Sequence, residues 1–152
     1  MKILLTGKNG QLASEIIRRL PRTLEILSVG SQDVDPYRGE IFIQTMRDYR
    51  PDVIINCWAY TDVDQAEVRF KEATYLNAIL PQMIAIEAEN QGSMLIHFST
   101  DFIFDGNANK PYTEDISPKP LNIYGQSKLK GEQNIQNICK KYVVLRTSWL
   151  YS

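Results

Sequence analysis

Five short runs of apolar, β-prone residues recur along the chain, and a helical pattern follows each of the first four. The runs are Lys2–Thr6, Glu25–Val29, Val53–Asn56, Met94–Thr100 and Tyr142–Thr147. Runs this short and continuous suit strands buried on both faces. Strands separated by helices cannot pair as hairpins. Each must cross over to its neighbour, and such crossovers are right-handed. The alternation therefore predicts an α/β domain, a parallel, doubly wound sheet with helices on both faces. At 152 residues there is room for one such domain, and no repeat, low-complexity run or linker divides it.

Composition narrows the classes of function. Hydrophobic residues make up 43% and charged residues 23%, which suits a globular protein. A net charge of −1 gives no broad electrostatic grip on nucleic acid or an anionic membrane. No apolar run approaches the roughly 20 residues of a membrane span. The N-terminal apolar run leads into a glycine turn and not a cleavage site, so it reads as a strand and not a signal peptide. Cys57 and Cys139 lie far apart with no metal-type spacing, as expected of reduced thiols in a cytoplasmic protein. Asp62, Asp64 and Glu67 read as a solvated helix start, and no metal ligand is assigned. His97, the single histidine, falls inside the fourth run and reads as a packed strand residue.

The residues that carry chemistry cluster where strands end. Gly7-Lys8-Asn9-Gly10-Gln11-Leu12-Ala13 follows the first strand, and a helix follows through Leu20 to Pro21. Strand, glycine turn and helix bring free backbone N–H groups and a helix N-terminus to a phosphate. Gly7 permits the tight turn, Gly10 lets the backbone approach a pyrophosphate, and Ala13 lets the helix close on the strand. The second strand ends in Val29-Gly30-Ser31-Gln32, with no carboxylate until Asp33 and no arginine. NADH and NADPH therefore both stay open. A short helix is expected over Ile41–Arg50. A longer one is expected over Ala73–Gln91, with a kink or break at Pro81. Thr100 and Asp101 end the fourth strand, where a hydroxyl can hydrogen-bond a substrate oxygen. A long, loop-like stretch follows to Leu121, and loops of that length are usually functional. Tyr124 and Lys128 then stand four residues apart on a helix running toward Lys141, so both project from one face. An ammonium about 4 Å from a phenol favours the phenolate by up to roughly 4 kcal/mol. Such a pair can pass a proton near neutral pH.

Together these features resemble the extended short-chain dehydrogenases/reductases, whose members use a Ser/Thr–Tyr–Lys constellation on a Rossmann-type sheet. More narrowly, the chain is similar to the dTDP-4-dehydrorhamnose reductases. The stretches that carry this run from Gly7 to Leu12, Arg50 to Asn56, Ala59 to Glu67, Ser99 to Gly106, Pro120 to Gly125 and Arg146 to Tyr151. The resemblance implies hydride transfer from NADPH or NADH to the 4-keto group of dTDP-4-dehydro-L-rhamnose. It implies that Tyr124 protonates the oxygen and that Lys128 lowers the tyrosine pKa and binds the nicotinamide ribose. Thr100 would orient the carbonyl, with Asp101 also at the substrate. Gly7, Gly10, Gln11 and Leu12 would hold the pyrophosphate. Glu40 and Ile41 match the stretch near the adenine. Ala59, Tyr60 and Thr61 would line the nicotinamide side, and Asn77 matches a further position near the cofactor. Magnesium and a homodimer are implied by family association only. Ala13 stands where the family usually has glycine, and Cys57-Trp58 where it has two alanines. Family members are considerably longer, so residues 1–152 are expected to be the nucleotide-binding half. The C-terminal substrate-binding portion would be absent, and turnover by this chain alone poor. Two other readings compete: an epimerase or dehydratase of the same superfamily, and a non-catalytic NADP-binding regulatory module.

Overall fold

The computed structural model describes residues 1–150. Tyr151, the end of the Arg146–Tyr151 stretch, lies outside them. The five expected strands form at the expected bounds: β1 Lys2–Thr6, β2 Glu25–Val29, β3 Val53–Asn56, β4 Met94–Thr100 and β5 Tyr142–Thr147. All neighbours pair in parallel, in the order β2-β1-β3-β4-β5. The chain steps outward in one direction from β1 to β2 and in the other from β1 to β3. A crevice opens at such a reversal, beyond the carboxyl ends of the strands.

Helices cover the two faces unevenly. Helix α1 (Gln11–Arg19) is the helix packed on one face, where Ala13, Ile16 and Ile17 meet Ile3, Leu5 and Ile55. Helices α2 (Gly39–Tyr49), α5 (Leu80–Gln91) and α6 (Ile123–Ile138) share the other face. There Phe42, Met46, Leu80, Ile84 and Ile135 bury Leu4, Ile54 and Leu95. Beyond α1, the first face keeps Ile96 and Phe98 only partly buried, and leaves Val143 and Leu145 of β5 exposed. Helix α2 starts two residues earlier than expected. It stops at Arg50, whose φ of 52° is the left-handed turn that leads into Pro51.

The expected helix over Ala73–Gln91 is more articulated. Short helices α3 (Val63–Val68) and α4 (Phe70–Thr74) lead into a π turn, Tyr75–Ile79, and then α5. Asp62 caps α3 by accepting from the Gln65 N–H at 3.0 Å, so the acidic segment is the helix start expected of it. Pro81 falls in the first turn of α5 and does not break the run. A proline inside a helix loses its own hydrogen bond and crowds the carbonyl four residues back. That carbonyl belongs to Asn77, inside the wider π turn, which relieves the crowding. The Asn77 carbonyl faces Gly131 of α6 so closely that a Cβ at Gly131 would overlap it. A Cβ at Gly125 would likewise overlap the Phe102 carbonyl.

Alanine normally stabilises a helix interior over glycine by up to about 1 kcal/mol. At Gly131 the sign reverses, because the obstacle is rigid backbone and overpacking costs about 1–3 kcal/mol. Gly131→Ala is expected to lower stability by about 2 kcal/mol, read as a fall in the urea midpoint at unchanged slope.

Candidate active site

The crevice has a volume of about 680 Å³. Its walls include the glycine turn, the ends of β2, β3 and β4, the first turns of α6, and the end of β5 with Ser148, Trp149 and Leu150 after it. Among residues singled out from sequence, Gly7, Gly10, Gln11, Leu12, Ala59, Thr61, Thr100, Asp101, Tyr124 and Lys128 all line it. Glu40, Ile41, Tyr60 and Asn77 do not. Glu40 and Ile41 are exposed on the first turn of α2. Asn77 is fully buried and its amide is fully committed. Its Oδ1 accepts from the Tyr60 N–H at 2.9 Å, and its Nδ2 donates to the Tyr60 carbonyl and to Ser127 Oγ. Asn77 thus ties the Ala59-Tyr60-Thr61 backbone to α6. Trp58 lines the crevice and also packs into the core, edge-on to Phe42 at 4.8 Å. Asn9, Gly30, Ser31 and Phe102 also line the crevice, and sequence reasoning gave them no role there.

At the glycine turn, Gly7 has φ +74° and its carbonyl accepts from the Gly10 N–H at 2.7 Å. Gly10 occupies the N-cap position and has no side chain to cap α1. A Cβ there would press on the Gly7 carbonyl at 3.2 Å. An uncapped helix start facing a crevice favours an anion.

Buried polar links hold the strand ends in register. The Thr6 hydroxyl donates to Asn56 Oδ1 at 2.8 Å and accepts from the Cys57 and Trp58 N–H groups. Asn56 Nδ2 lies 3.0 Å from His97 Nδ1. His97 is fully buried, and burial holds its pKa well below the usual range, so it is a neutral structural residue as expected. Burial also pushes the Cys57 thiol up to about 12, so no reactive thiolate stands beside the crevice.

Helix α6 carries Tyr124 and Lys128, the pair expected to pass a proton. Asn122 caps it by accepting from the Gly125 N–H at 2.7 Å. Glu67, from α3, accepts from the Ile123 N–H at 2.8 Å. The Tyr124 ring packs edge-on against Phe102 at 5.6 Å. Burial raises the Tyr124 pKa, the neighbouring Thr100 hydroxyl opposes this, and Asp101 adds to it. The downward pull expected from Lys128 does not register. The Lys128 ammonium instead donates to the Phe98 carbonyl at 2.6 Å, deep in the wall. The phenol is therefore a protonated donor near neutral pH. Lys128 is 2% exposed, and burial brings its pKa down to about 8 against the pull of Glu132. Glu132, one turn further along, is locked by Arg146 of β5 through a 2.8 Å bond.

Nothing in the walls conflicts with a dinucleotide. Gly30 and Ser31 stand at one end, the uncapped α1 start in the middle, and Thr100, Tyr124 and Lys128 at the other. That sequence suits adenosine, pyrophosphate and nicotinamide in turn. Among the described residues no three His, Cys, Asp or Glu side chains come together as a metal site, and no helix is long and apolar enough to cross a membrane.

A Rossmann-type parallel sheet thus gathers a glycine turn and Thr100, Tyr124 and Lys128 in one crevice, the arrangement expected of a short-chain dehydrogenase/reductase. All of residues 1–152 match the family model described as "RmlD substrate binding domain", and the chain belongs to that family. It is 39% identical over 157 residues to the dTDP-4-dehydrorhamnose reductase of Escherichia coli strain K12, covering all of this chain and 52% of the relative. A crystal structure of dTDP-4-dehydrorhamnose reductase from Bacillus anthracis in complex with NADP superposes with a TM-score of 0.95 at 37% identity. That match covers 99% of this chain and 54% of the other. UDP-glucose 4-epimerase from Brucella ovis in complex with NAD shares the fold alone, at TM-score 0.85 and 18% identity. The chain spans about half the length of the relatives it matches.

The buried ammonium has a consequence for stability. The Lys128 pKa is depressed from 10.5 to about 8 on folding. Between those values the unfolded chain binds more protons, so this group makes stability rise with pH there. Below pH 8 it opposes folding by up to about 3 kcal/mol. Lys128→Met is expected to be more stable than the parent at pH 7, with the gap narrowing toward pH 10, in paired urea titrations.

Proposed function

We propose that this chain is the cofactor-binding and proton-donating portion of an NAD(P)H-dependent reductase. Its substrate is dTDP-4-dehydro-L-rhamnose and its product dTDP-L-rhamnose. The observation that carries this reading is the meeting of Thr100, Tyr124 and Lys128 with the glycine turn in one crevice. The named activity of the relatives supports it.

Residues 1–152 then act as the dinucleotide-binding domain, and the rest of the relatives' length supplies most of the sugar-nucleotide pocket. Gly7, Gly10, Gln11 and Leu12 present backbone and the α1 start to the pyrophosphate. Lys128 hydrogen-bonds the nicotinamide ribose hydroxyls from the wall. Ala59 and Thr61 flank the nicotinamide, and Tyr60 and Asn77 hold that segment in place behind them. When bound, the reduced nicotinamide supplies hydride to the carbonyl carbon. Thr100 orients the carbonyl oxygen, and Tyr124 donates its proton to that oxygen as negative charge develops there. Asp101 stands beside Thr100 at the substrate end. A dehydratase would carry a glutamate after Asp101. Here that position is Phe102, packed on Tyr124.

The test joins the remaining part of the Escherichia coli relative after Ser152 and supplies dTDP-4-dehydrorhamnose with NADPH. Tyr124→Phe is expected to lower turnover about 10²–10⁴-fold, the usual weight of a general acid. Nicotinamide fluorescence should show the cofactor still binding. Product formation at the parent rate in Tyr124→Phe would remove Tyr124 from the mechanism.

A further inference from the structure

Three charged side chains meet behind the crevice wall, two of them almost sealed from water. Lys128 and Glu132 stand four residues apart on α6, so they share one face of the helix. They are 2% and 1% exposed. Arg146 of β5 takes the Glu132 carboxylate in a fork. Its Nη2 donates to Oε2 at 2.8 Å, and its Nε reaches both oxygens at 3.2 Å. The loop after β4 holds the guanidinium too. The Phe104 ring centre lies 5.5 Å from it, and Phe104 stacks on Tyr112 at 4.3 Å with the planes 10° apart. The Tyr112 hydroxyl donates to Asp105 at 2.9 Å and closes that loop on itself. Neither Glu132 nor Arg146 lines the crevice.

Replacing a buried ion pair by apolar side chains is often neutral or stabilising. Fastening α6 to β5 therefore gives no reason for a charge at Glu132, but its neighbour on the helix does. The other groups around the Lys128 ammonium supply no anion. Cys57, at the end of β3, has a thiol pKa of about 12, and His97 of β4 is neutral. Tyr124 keeps its proton, and Asp101 acts on Tyr124. The π turn brings Asn77, which carries no charge. Among the described residues Glu132 is thus the anion that acts on Lys128 near neutral pH. Even against that pull, burial brings the lysine down to about 8.

Resting on the reading that Lys128 holds the nicotinamide ribose, we propose that Glu132, fixed by Arg146, is a positioning residue for that lysine. It acts through Lys128 and touches neither cofactor nor substrate. It is the counter-ion that lets the ammonium stay charged inside the wall, with one N–H on the Phe98 carbonyl. Arg146 keeps the carboxylate ionised and stops it from swinging onto the ammonium and drawing it away from the crevice.

The test follows the Lys128 side chain by NMR in lysine-labelled Met1–Ser152, with Lys128→Met marking its signal. Glu132→Gln is expected to lower the Lys128 titration midpoint by about one pH unit, the weight of a nearby opposite charge. By nicotinamide fluorescence, NADPH should bind this variant as it binds the parent at pH 6, where the lysine is charged in both. At pH 8 it should bind up to about fivefold more weakly. The double variant Glu132→Gln, Arg146→Met leaves no cation unpaired and should move the midpoint the same way, which keeps the test open should the single variant not fold. A tie that only fastens α6 to β5 would weaken binding equally at both pH values. That result, or a Lys128 midpoint unmoved in the folded variants, overturns this inference alone. A parent chain that binds neither NADH nor NADPH overturns the dinucleotide reading, and with it the role given to Glu132, whatever the lysine titration shows.

Discussion

The close approach of α6 to the π turn is the constraint on which the site depends. Gly131 leaves no gap between its helix and the Asn77 carbonyl, and Gly125 does the same against Phe102. Contact this tight fixes α6 along its axis and in rotation, because backbone carbonyls do not yield as side chains do. The rotation decides where Tyr124 and Lys128 point. The chain of causes starts at Pro81, which cannot continue an ordinary helical bond pattern and so sits against a widened turn. That turn sets the Asn77 carbonyl toward α6 and its buried amide toward Tyr60 and Ser127. A proline in one helix thus helps aim a phenol on another.

Electrostatics follow from that placement. Sinking Lys128 into the wall brings it to the Phe98 carbonyl and leaves its charge against a poorly solvating interior. Glu132 offsets part of this, and Arg146 offsets Glu132 in turn, so the three charges run from the crevice to the edge strand β5. The Tyr124 pKa responds to burial first, and then to Thr100 and Asp101. The two members of the pair are tuned by different neighbours. The phenol keeps its proton and is suited to donating it, and the ammonium is suited to holding ribose hydroxyls.

What could be seen in the residues alone was set by locality. Each strand is a short apolar run with turn chemistry at its ends, so all five appeared at their observed bounds. The glycine turn and the Tyr124–Lys128 spacing are local patterns and were equally visible. Asn77 was legible only as lying near the cofactor. Its role as a tie between the β3 end and α6 needs the fold, because its partners stand 17 and 50 residues away. The same holds for Glu67 steadying Ile123 and for Arg146 locking Glu132. The pull of Lys128 on the Tyr124 pKa was expected from spacing on a helix, which is not distance in space, and here the ammonium bonds the Phe98 carbonyl. Four residues bring two side chains to one face, but a lysine stem is long enough to carry its charge elsewhere.

The uneven covering of the sheet has a consequence for how copies of this chain meet. Among the described residues β5 ends the sheet, and its outer side presents a row of backbone donors and acceptors beside exposed Val143 and Leu145. A sheet edge is a template for another strand. A lysine at Val143 or Leu145 would act as a gatekeeper on that border.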